Sequence, residues 1–258
     1  MARRHCLHAR RVRSPDLLAE INAMIAITFA LPAESSDFVS LLEKPARNSR
    51  EGVETLCGRL HGKSVAVLHT GVGRKICSQR MEVLLRREAF EFVISAGFAG
   101  ALEKELRIGN LLVSENYSSP QLLRSVQPAL TGDGVFQGKL LTVAEVIESN
   151  SEREQLAKKT GAAAVDMETE FIAEACADHR LPMLSLRAIS DTPSEPFPAP
   201  AHLLFDIKKQ RTDFARLALY LMTHPGAISR LNAFRQRVAV ARKALARTLD
   251  AILRADLS

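Results

Sequence analysis

Three carboxylates in this chain, Glu34, Glu168 and Asp191, each stand where an apolar run gives way to a polar one. Glu34 closes Leu31-Pro32-Ala33-Glu34 after the apolar run from Met24 to Phe29, and a buried strand ending there would aim its carboxylate into a cleft. The plainer reading makes Glu34 an acid in the first turn of a helix, favoured by the helix dipole, and both readings stay open. Val165-Asp166-Met167-Glu168 precedes a helical pattern, and Arg187-Ala188-Ile189-Ser190-Asp191 ends an apolar strand. Here the plain alternatives are a first-turn acid for Glu168 and a strand-end cap for Asp191.

Two further stretches run from a strand into glycines: Thr70-Gly71-Val72-Gly73, followed by Arg74, and Ser95-Ala96-Gly97-Phe98-Ala99-Gly100. Glycines let backbone N–H groups approach a sugar or an anion closely. Neither stretch is specific, because glycines after strands are most often turns. The chain contains no G-x-x-x-x-G-K-[ST] sequence and no full G-x-G-x-x-G.

The elements that must position these groups alternate in type. Met24 to Phe29, Lys63 to His69, Phe92 to Ser95, Asn110 to Ser114, Lys139 to Thr142 and Met183 to Ile189 read as strands. Ile76 to Arg87, Glu152 to Thr160, Glu168 to Arg180 and Leu203 to Met222 read as helices. Such alternation implies an α/β fold with a mostly parallel, twisted sheet, whose ligands collect at the carboxyl ends of the strands. Pro120 to Gly138 has little periodicity and reads as a loop or flap. After Pro225-Gly226 a last helix begins, with Leu231, Phe234, Val238, Ala241, Leu245, Leu249 and Ile252 at three- and four-residue steps.

Composition sets outer limits. With 258 residues, 47% of them hydrophobic and 25% charged, the chain can bury a full core. Its longest apolar stretches are about ten residues, short of the ~20 that span a bilayer. The arginines at 3, 4, 10, 11 and 13 before an apolar run loosely mimic a signal peptide, but Asp16 and Glu20 interrupt them and Met24 could be the true start. A cytoplasmic protein is expected. The four cysteines, Cys6, Cys57, Cys77 and Cys176, form no C-x-x-C pair or His-containing metal pattern, so neither metal nor cofactor is expected. The formal charge of +6 gathers in the N-terminal tail and in Arg230, Arg235, Arg237, Arg242, Lys243, Arg247 and Arg254. Without Trp and with two Tyr, the chain lacks the aromatic interleaving of a nucleic-acid platform. A peripheral contact with an anionic membrane remains a reading of the C-terminal helix, beside simple packing of its stripe.

The pair Val165-Asp166-Met167-Glu168 and Arg187-Ala188-Ile189-Ser190-Asp191 resembles the V-E-M-E and R-A-I-S-D signatures of the nucleoside phosphorylase and nucleosidase superfamily. With Gly71 to Gly73 and Gly97 to Gly100 in the expected order, the resemblance spans about Met24 to Met222. It implies a three-layer fold, a twisted, mixed, mostly parallel sheet flanked by helices, with an extra C-terminal helix. The expected organisation is a basic tail over 1–23, the enzyme domain over 24–225 and a basic amphipathic helix over 226–258. A homo-oligomer is expected.

By that resemblance Asp191 protonates or hydrogen-bonds N7 of a leaving purine, with Ser190 orienting it. Glu168 holds the ribose hydroxyls, Met167 packs on the sugar, and Val165, Phe98, Ala99, Gly100 and Val146 lie around the base. Gly71, Gly73 and Arg74 form a sugar or phosphate loop. Cleavage through an oxocarbenium-like sugar calls for negative charge nearby. Phosphorylases of the superfamily carry a Gly-Asp-x-x-Arg stretch after the first strand. This chain has Ala30-Leu31-Pro32-Ala33-Glu34 there, similar to methylthioadenosine/S-adenosylhomocysteine nucleosidases, where a Glu repels phosphate and activates water. It departs from that subgroup at Phe98, where the motif has Ser, and at Val146, where a Phe stacks on the base. The entry Thr223-His224-Pro225-Gly226 and the stretch from Leu141 to Glu168 look more like the hopanoid-associated branch, linked to removal of adenine from adenosylhopane. Phosphate-dependent phosphorolysis, with Arg74 as ligand, is the enzymatic alternative; a nucleoside binder without turnover is the other.

Overall fold

The computed structural model describes residues 24–86, 89–195 and 226–255, together with 197, 200, 205, 210, 219–220 and 222–224. The basic tail over 1–23 and most of the helix expected from Leu203 to Met222 lie outside the described residues. The elements in chain order are β1 (Met24–Phe29), α1 (Pro32–Val39), β2 (Glu43–Arg50), β3 (Val53–Leu60), β4 (Lys63–His69), α2 (Arg74–Leu85), β5 (Phe90–Ala101) and β6 (Leu111–Ser114). They continue with α3 (Pro120–Val126), β7 (Val135–Gly138), β8 (Leu140–Thr142), α4 (Asn150–Thr160), β9 (Ala164–Asp166), α5 (Thr169–Asp178), β10 (Met183–Asp191) and α6 (Gly226–Arg254).

The strands form one ten-stranded mixed sheet in the order β2-β3-β4-β1-β5-β10-β6-β7, with β9 pairing β5 and β8 pairing β9. Its centre, β4-β1-β5-β10, is parallel. Those strands are apolar on both faces because helices cover both sides. In β10 all nine residues are buried. Alternate residues point to opposite layers. Ile25, Ile27 and Phe29 join Phe38 of α1 and Leu245 and Leu249 of α6, whereas Ala26, Leu68 and Val93 join Met81 of α2 and Ile172 of α5. The result is the expected three-layer α/β/α arrangement, with the extra C-terminal helix present.

α6 uses its stripe within the fold. Ala241, Leu245, Leu249 and Ile252 are fully buried, while Leu231, Phe234 and Val238 are partly so. The far end of the helix is pinned by Lys63, whose Nζ donates to the Leu253 carbonyl at 2.8 Å. Packing therefore claims most of the stripe. Among the described residues, no helix is long and apolar enough to cross a membrane.

Three sequence expectations change. The glycines at 97 and 100 do not turn the chain, since β5 runs straight through them to Ala101, paired to β10 at Gly97 and to β9 at Gly100. Pro120 to Gly138 is not a bare loop but holds α3 and β7. Two strands that were not expected, β2 and β3, join the expected β4 in a meander at one edge, its two turns at Glu51-Gly52 and His61-Gly62 both having positive φ at each residue (50° and 76°, 49° and 79°). That backbone matches the twist of a two-residue hairpin.

Candidate active site

A cavity of about 870 Å3 opens at the carboxyl ends of β1, β5 and β10. Glu34, Glu168 and Asp191 all line it, and all three are buried. It lies within the size range of small-molecule sites.

Glu34 belongs to the first turn of α1 and also reaches across the cavity floor. Its Oε2 accepts from the Leu31 backbone N–H at 2.9 Å, and its Oε1 accepts from the Phe98 N–H at 3.0 Å. Both readings of this residue therefore hold in its geometry. Glycine at 97 makes room for it, since a Cβ there would lie 3.3 Å from Glu34 Oε1. Burial raises the pKa of Glu34, a shift opposed by the two N–H donors and by Arg187.

Glu168 follows β9 and immediately precedes α5. Its Oε1 accepts from the Gly73 N–H at 3.2 Å. Burial raises its pKa well above the usual range, and the negative charges of Asp166 and Glu34 push in the same direction. The turn that presents Gly73 is itself held by Gln210, which accepts from the Val72 N–H and donates to the Val72 carbonyl, both at 2.8 Å.

Two buried arginines stitch the strands beneath these acids. Arg187 of β10 donates Nε to Asp166 at 3.0 Å, Nη1 to the Ser95 carbonyl at 2.7 Å, and Nη2 to Ser95 Oγ at 2.9 Å and to Thr169 Oγ1. Asp166 also accepts from Thr142 Oγ1 at 2.7 Å and from the Thr169 N–H at 3.1 Å. This network fixes the strand that leads into Glu168. Arg153 of α4 is 1% exposed and pairs with Asp191 at 2.5 Å. Ser190 Oγ donates to the other carboxylate oxygen, Oδ1, at 3.0 Å. Glycine at 100 is required by this packing, because a Cβ there would sit 2.8 Å from Asp191 Oδ2 and 3.1 Å from Arg153 Nη1.

Of the residues singled out in the sequence, Glu34, Phe98, Ala99, Gly100, Val146, Val165, Met167, Glu168, Ser190 and Asp191 line this one cavity. Gly71, Gly73 and Arg74 are not among its described lining residues, which take Val72 from that turn. Gly73 gives its N–H to Glu168, and Arg74 lies over the Phe171 ring at 4.3 Å and pairs with Glu174 at 3.3 Å. Arg153 and Gln210 were not singled out. Nothing in Asn150 to Thr160 sets Arg153 apart from Lys158 or Lys159, because its partners come from distant strands.

The electrostatics select a kind of chemistry. Glu34, Glu145, Glu148, Glu152, Asp166, Glu168 and Asp191 line the cavity, and among its described lining residues Arg153 is the one Lys or Arg. Its guanidinium is already committed to Asp191 and to two backbone carbonyls. Such a site stabilises positive charge developing in a bound molecule and disfavours an anion. Apolar side chains also form part of the wall, with Leu31, Val72, Phe197, Phe205, Phe234 and Val238; the last two come from α6.

Fold and cavity together describe an α/β protein with acids gathered at the sheet's carboxyl edge. The phosphorylase superfamily model matches residues 24–119 and 114–223. A 5′-methylthioadenosine/S-adenosylhomocysteine nucleosidase of Buchnera aphidicola is 27% identical over 199 residues, covering 66% of this chain and 79% of the relative. A nucleosidase of that kind from S. pneumoniae has a solved structure that superposes with a TM-score of 0.69 at 18% identity, covering 90% of this chain and 99% of the other. Futalosine hydrolase of Helicobacter pylori follows with a TM-score of 0.60 at 20% identity, covering 66% and 88%. The chain belongs to the phosphorylase superfamily and is an enzyme of its nucleoside phosphorylase and nucleosidase family.

Proposed function

We propose that this enzyme hydrolyses the N-glycosidic bond of a purine nucleoside, with adenine as the base. The observation that carries the reading is the meeting of three buried carboxylates, Glu34, Glu168 and Asp191, around one cavity whose described cation is already paired. Glu168 takes the ribose hydroxyls, with Met167 against the sugar. Asp191, which takes up a proton from solvent on Oδ1 while Arg153 holds Oδ2, gives that proton to N7 as the C1′–N9 bond breaks and its electron pair passes to the base. The sugar cation is flanked by negative charge, and water held by Glu34 adds its oxygen to C1′ while its proton passes to the Glu34 carboxylate. One water is consumed, and free base and free sugar leave.

The apolar wall supports a substrate whose 5′ position carries a hydrophobic group, of which a lipid-linked nucleoside such as adenosylhopane is the extreme case. Phe234 and Val238 put α6 into that wall. Met222 and Ile228, 76% and 57% exposed near the start of α6, would then face the membrane from which such a substrate is drawn.

The experiment is to incubate the purified protein with adenosine, 5′-methylthioadenosine and 5′-alkylated adenosines, with and without inorganic phosphate. Free sugar formed at equal rate in both conditions is the expected result. Strict dependence on phosphate, with a sugar phosphate as product, would replace hydrolysis with phosphorolysis.

A further inference from the structure

We infer that Arg153 is a positioning residue that clamps Asp191 to the segment covering the base, and that it selects Asp191 Oδ1 as the oxygen that works on the leaving group. The inference rests on the role given to Asp191 above. Arg153 stands in the first turn of α4, a helix started by Ser149, whose Oγ accepts from the Glu152 N–H at 3.3 Å. From there its side chain runs inward and is 1% exposed.

Each part of the guanidinium meets a different part of the site. Nε donates to the Ile147 carbonyl at 3.1 Å, Nη1 to the Ala101 carbonyl at 3.0 Å, and Nη2 to Asp191 Oδ2 at 2.5 Å. Ile147 and Val146 belong to the cavity wall between β8 and α4, Ala101 is the last residue of β5, and Asp191 is the last of β10. A planar, rigid fork satisfying three acceptors at once fixes their separation, which a flexible ammonium cannot do. A surface-exposed arginine would be free of such constraints; this one is buried because its partners are.

The same packing decides which carboxylate oxygen is available. Oδ2 is held by Arg153 and pressed against Gly100, where a Cβ would be only 2.8 Å away. Oδ1 accepts only from the Ser190 hydroxyl among its described contacts, at 3.0 Å, and a hydroxyl can rotate away. Oδ1 is therefore the atom presented to the base. Once the proton has passed from Oδ1 to the base, the charge left on Asp191 is met by the guanidinium already in place, with no reorganisation at that moment. The other charged residues that line the cavity with Asp191 and Arg153 are Glu34, Glu145, Glu148, Glu152, Asp166 and Glu168. None of these supplies a cation.

The test is a double-mutant cycle with R153M, D191N and R153M/D191N, reading kcat and KM separately for adenine release from 5′-methylthioadenosine, with folding followed by circular dichroism. R153M should lower kcat by about 100-fold, the size of a small misplacement of a catalytic group, with KM within about threefold. In the D191N background the same substitution should cost less than about threefold, since its target is gone. R153K keeps a positive charge without the fork and should fall between the wild type and R153M. It replaces R153M in the cycle if the unpaired buried carboxylate prevents that variant from folding, and the neutral double variant provides a second folded reference. An equal loss from R153M with and without Asp191, or a near-native kcat for R153M, overturns the clamp while leaving Asp191 its role. A near-native D191N overturns the assignment of Asp191 and the clamp together.

Discussion

Glu34 and Phe98 are 64 positions apart in sequence, yet the backbone N–H of Phe98 donates to Glu34 Oε1 at 3.0 Å. The bond ties the first turn of α1 to the carboxyl-terminal part of β5 and leaves the carboxylate facing the cavity. Hydrolysis needs Glu34 ionised, and burial moves its pKa above the ordinary 4.5. The acid limb of kcat/KM should therefore fall above that value, with activity lost as pH drops through it. E34Q should lose that limb together with at least ~100-fold in turnover. A pH profile flat down to 4.5 in the wild type would remove Glu34 as the base.

Glu168 carries the larger upward shift, caused first by burial and then by Asp166 and Glu34. The folded state thus binds a proton that the unfolded chain has released. The stability this contributes is fully present below the unfolded value of about 4.5 and is lost as pH rises through the folded value. E168Q keeps an oxygen for the Gly73 N–H and removes the charge. Its melting temperature should exceed the wild type's by a margin that grows with pH, while turnover falls by about tenfold or more as the ribose contact weakens. The acid limb set by Glu34 should stay in place in E168Q, because Glu168 still holds its proton, and so carries no charge, where Glu34 gives up its own. Thermal melts across pH 4 to 8 and pH–rate profiles read both effects (roughly the range over which such groups titrate).

The two glycines of Gly97-Phe98-Ala99-Gly100 make separable predictions. At Gly97 a Cβ would stand 3.3 Å from the end of a glutamate side chain, whereas at Gly100 it would stand 2.8 Å from Asp191 Oδ2 with Arg153 Nη1 close behind. Glu34 is anchored at one end of a helix and can yield by a few tenths of an ångström; Asp191 Oδ2 is held by Arg153, whose other nitrogens are held by the Ile147 and Ala101 carbonyls. G97A should therefore retain measurable activity and melt within a few degrees of the wild type. G100A should cost about 1–3 kcal/mol in stability through overpacking and at least ~100-fold in kcat. Equal behaviour of the two variants in melts and turnover would contradict this ranking.

These glycines also show where sequence reasoning reached its limit. They read as a turn because a glycine in a strand weakens it and most often marks irregular backbone. Their actual reason is a side chain from another element occupying the missing Cβ position, which no local pattern reveals. The central strands were legible because burial on both faces writes near-continuous apolar runs. β2, with the sequence Glu-Lys-Pro-Ala-Arg-Asn-Ser-Arg, was not, since an exposed edge strand carries no apolar alternation. Glu34, Glu168 and Asp191 were found as residues at element junctions and through family signatures. Arg153 escaped because a buried arginine looks, in sequence, like any charged residue on a helix.

The last prediction concerns α6, which the sequence left between packing and membrane contact. Leu245 and Leu249 are fully buried in the layer that also holds Phe38 and Ile27, and Arg242 reaches Asp37 of α1 at 2.8 Å. The burial assigns the second half of the helix to the core. Leu249→Ala should accordingly destabilise the protein by about 2–5 kcal/mol, the usual cost of emptying a leucine site in a packed interior. Near the start of the helix the environment differs, for Ile228 is 57% exposed and Phe234 lines the cavity. Ile228→Ser should shift the melting temperature far less than Leu249→Ala, since more than half of the Ile228 surface is already in solvent. If the apolar wall receives a 5′ substituent, Phe234→Ala should raise KM for a 5′-alkylated adenosine by about tenfold or more while changing KM for adenosine itself little, because burying a phenyl ring against alkyl carbons is worth roughly 1.5–3 kcal/mol. An equal rise for both nucleosides would place Phe234 at the base or ribose instead, and no rise for either would detach α6 from the substrate altogether.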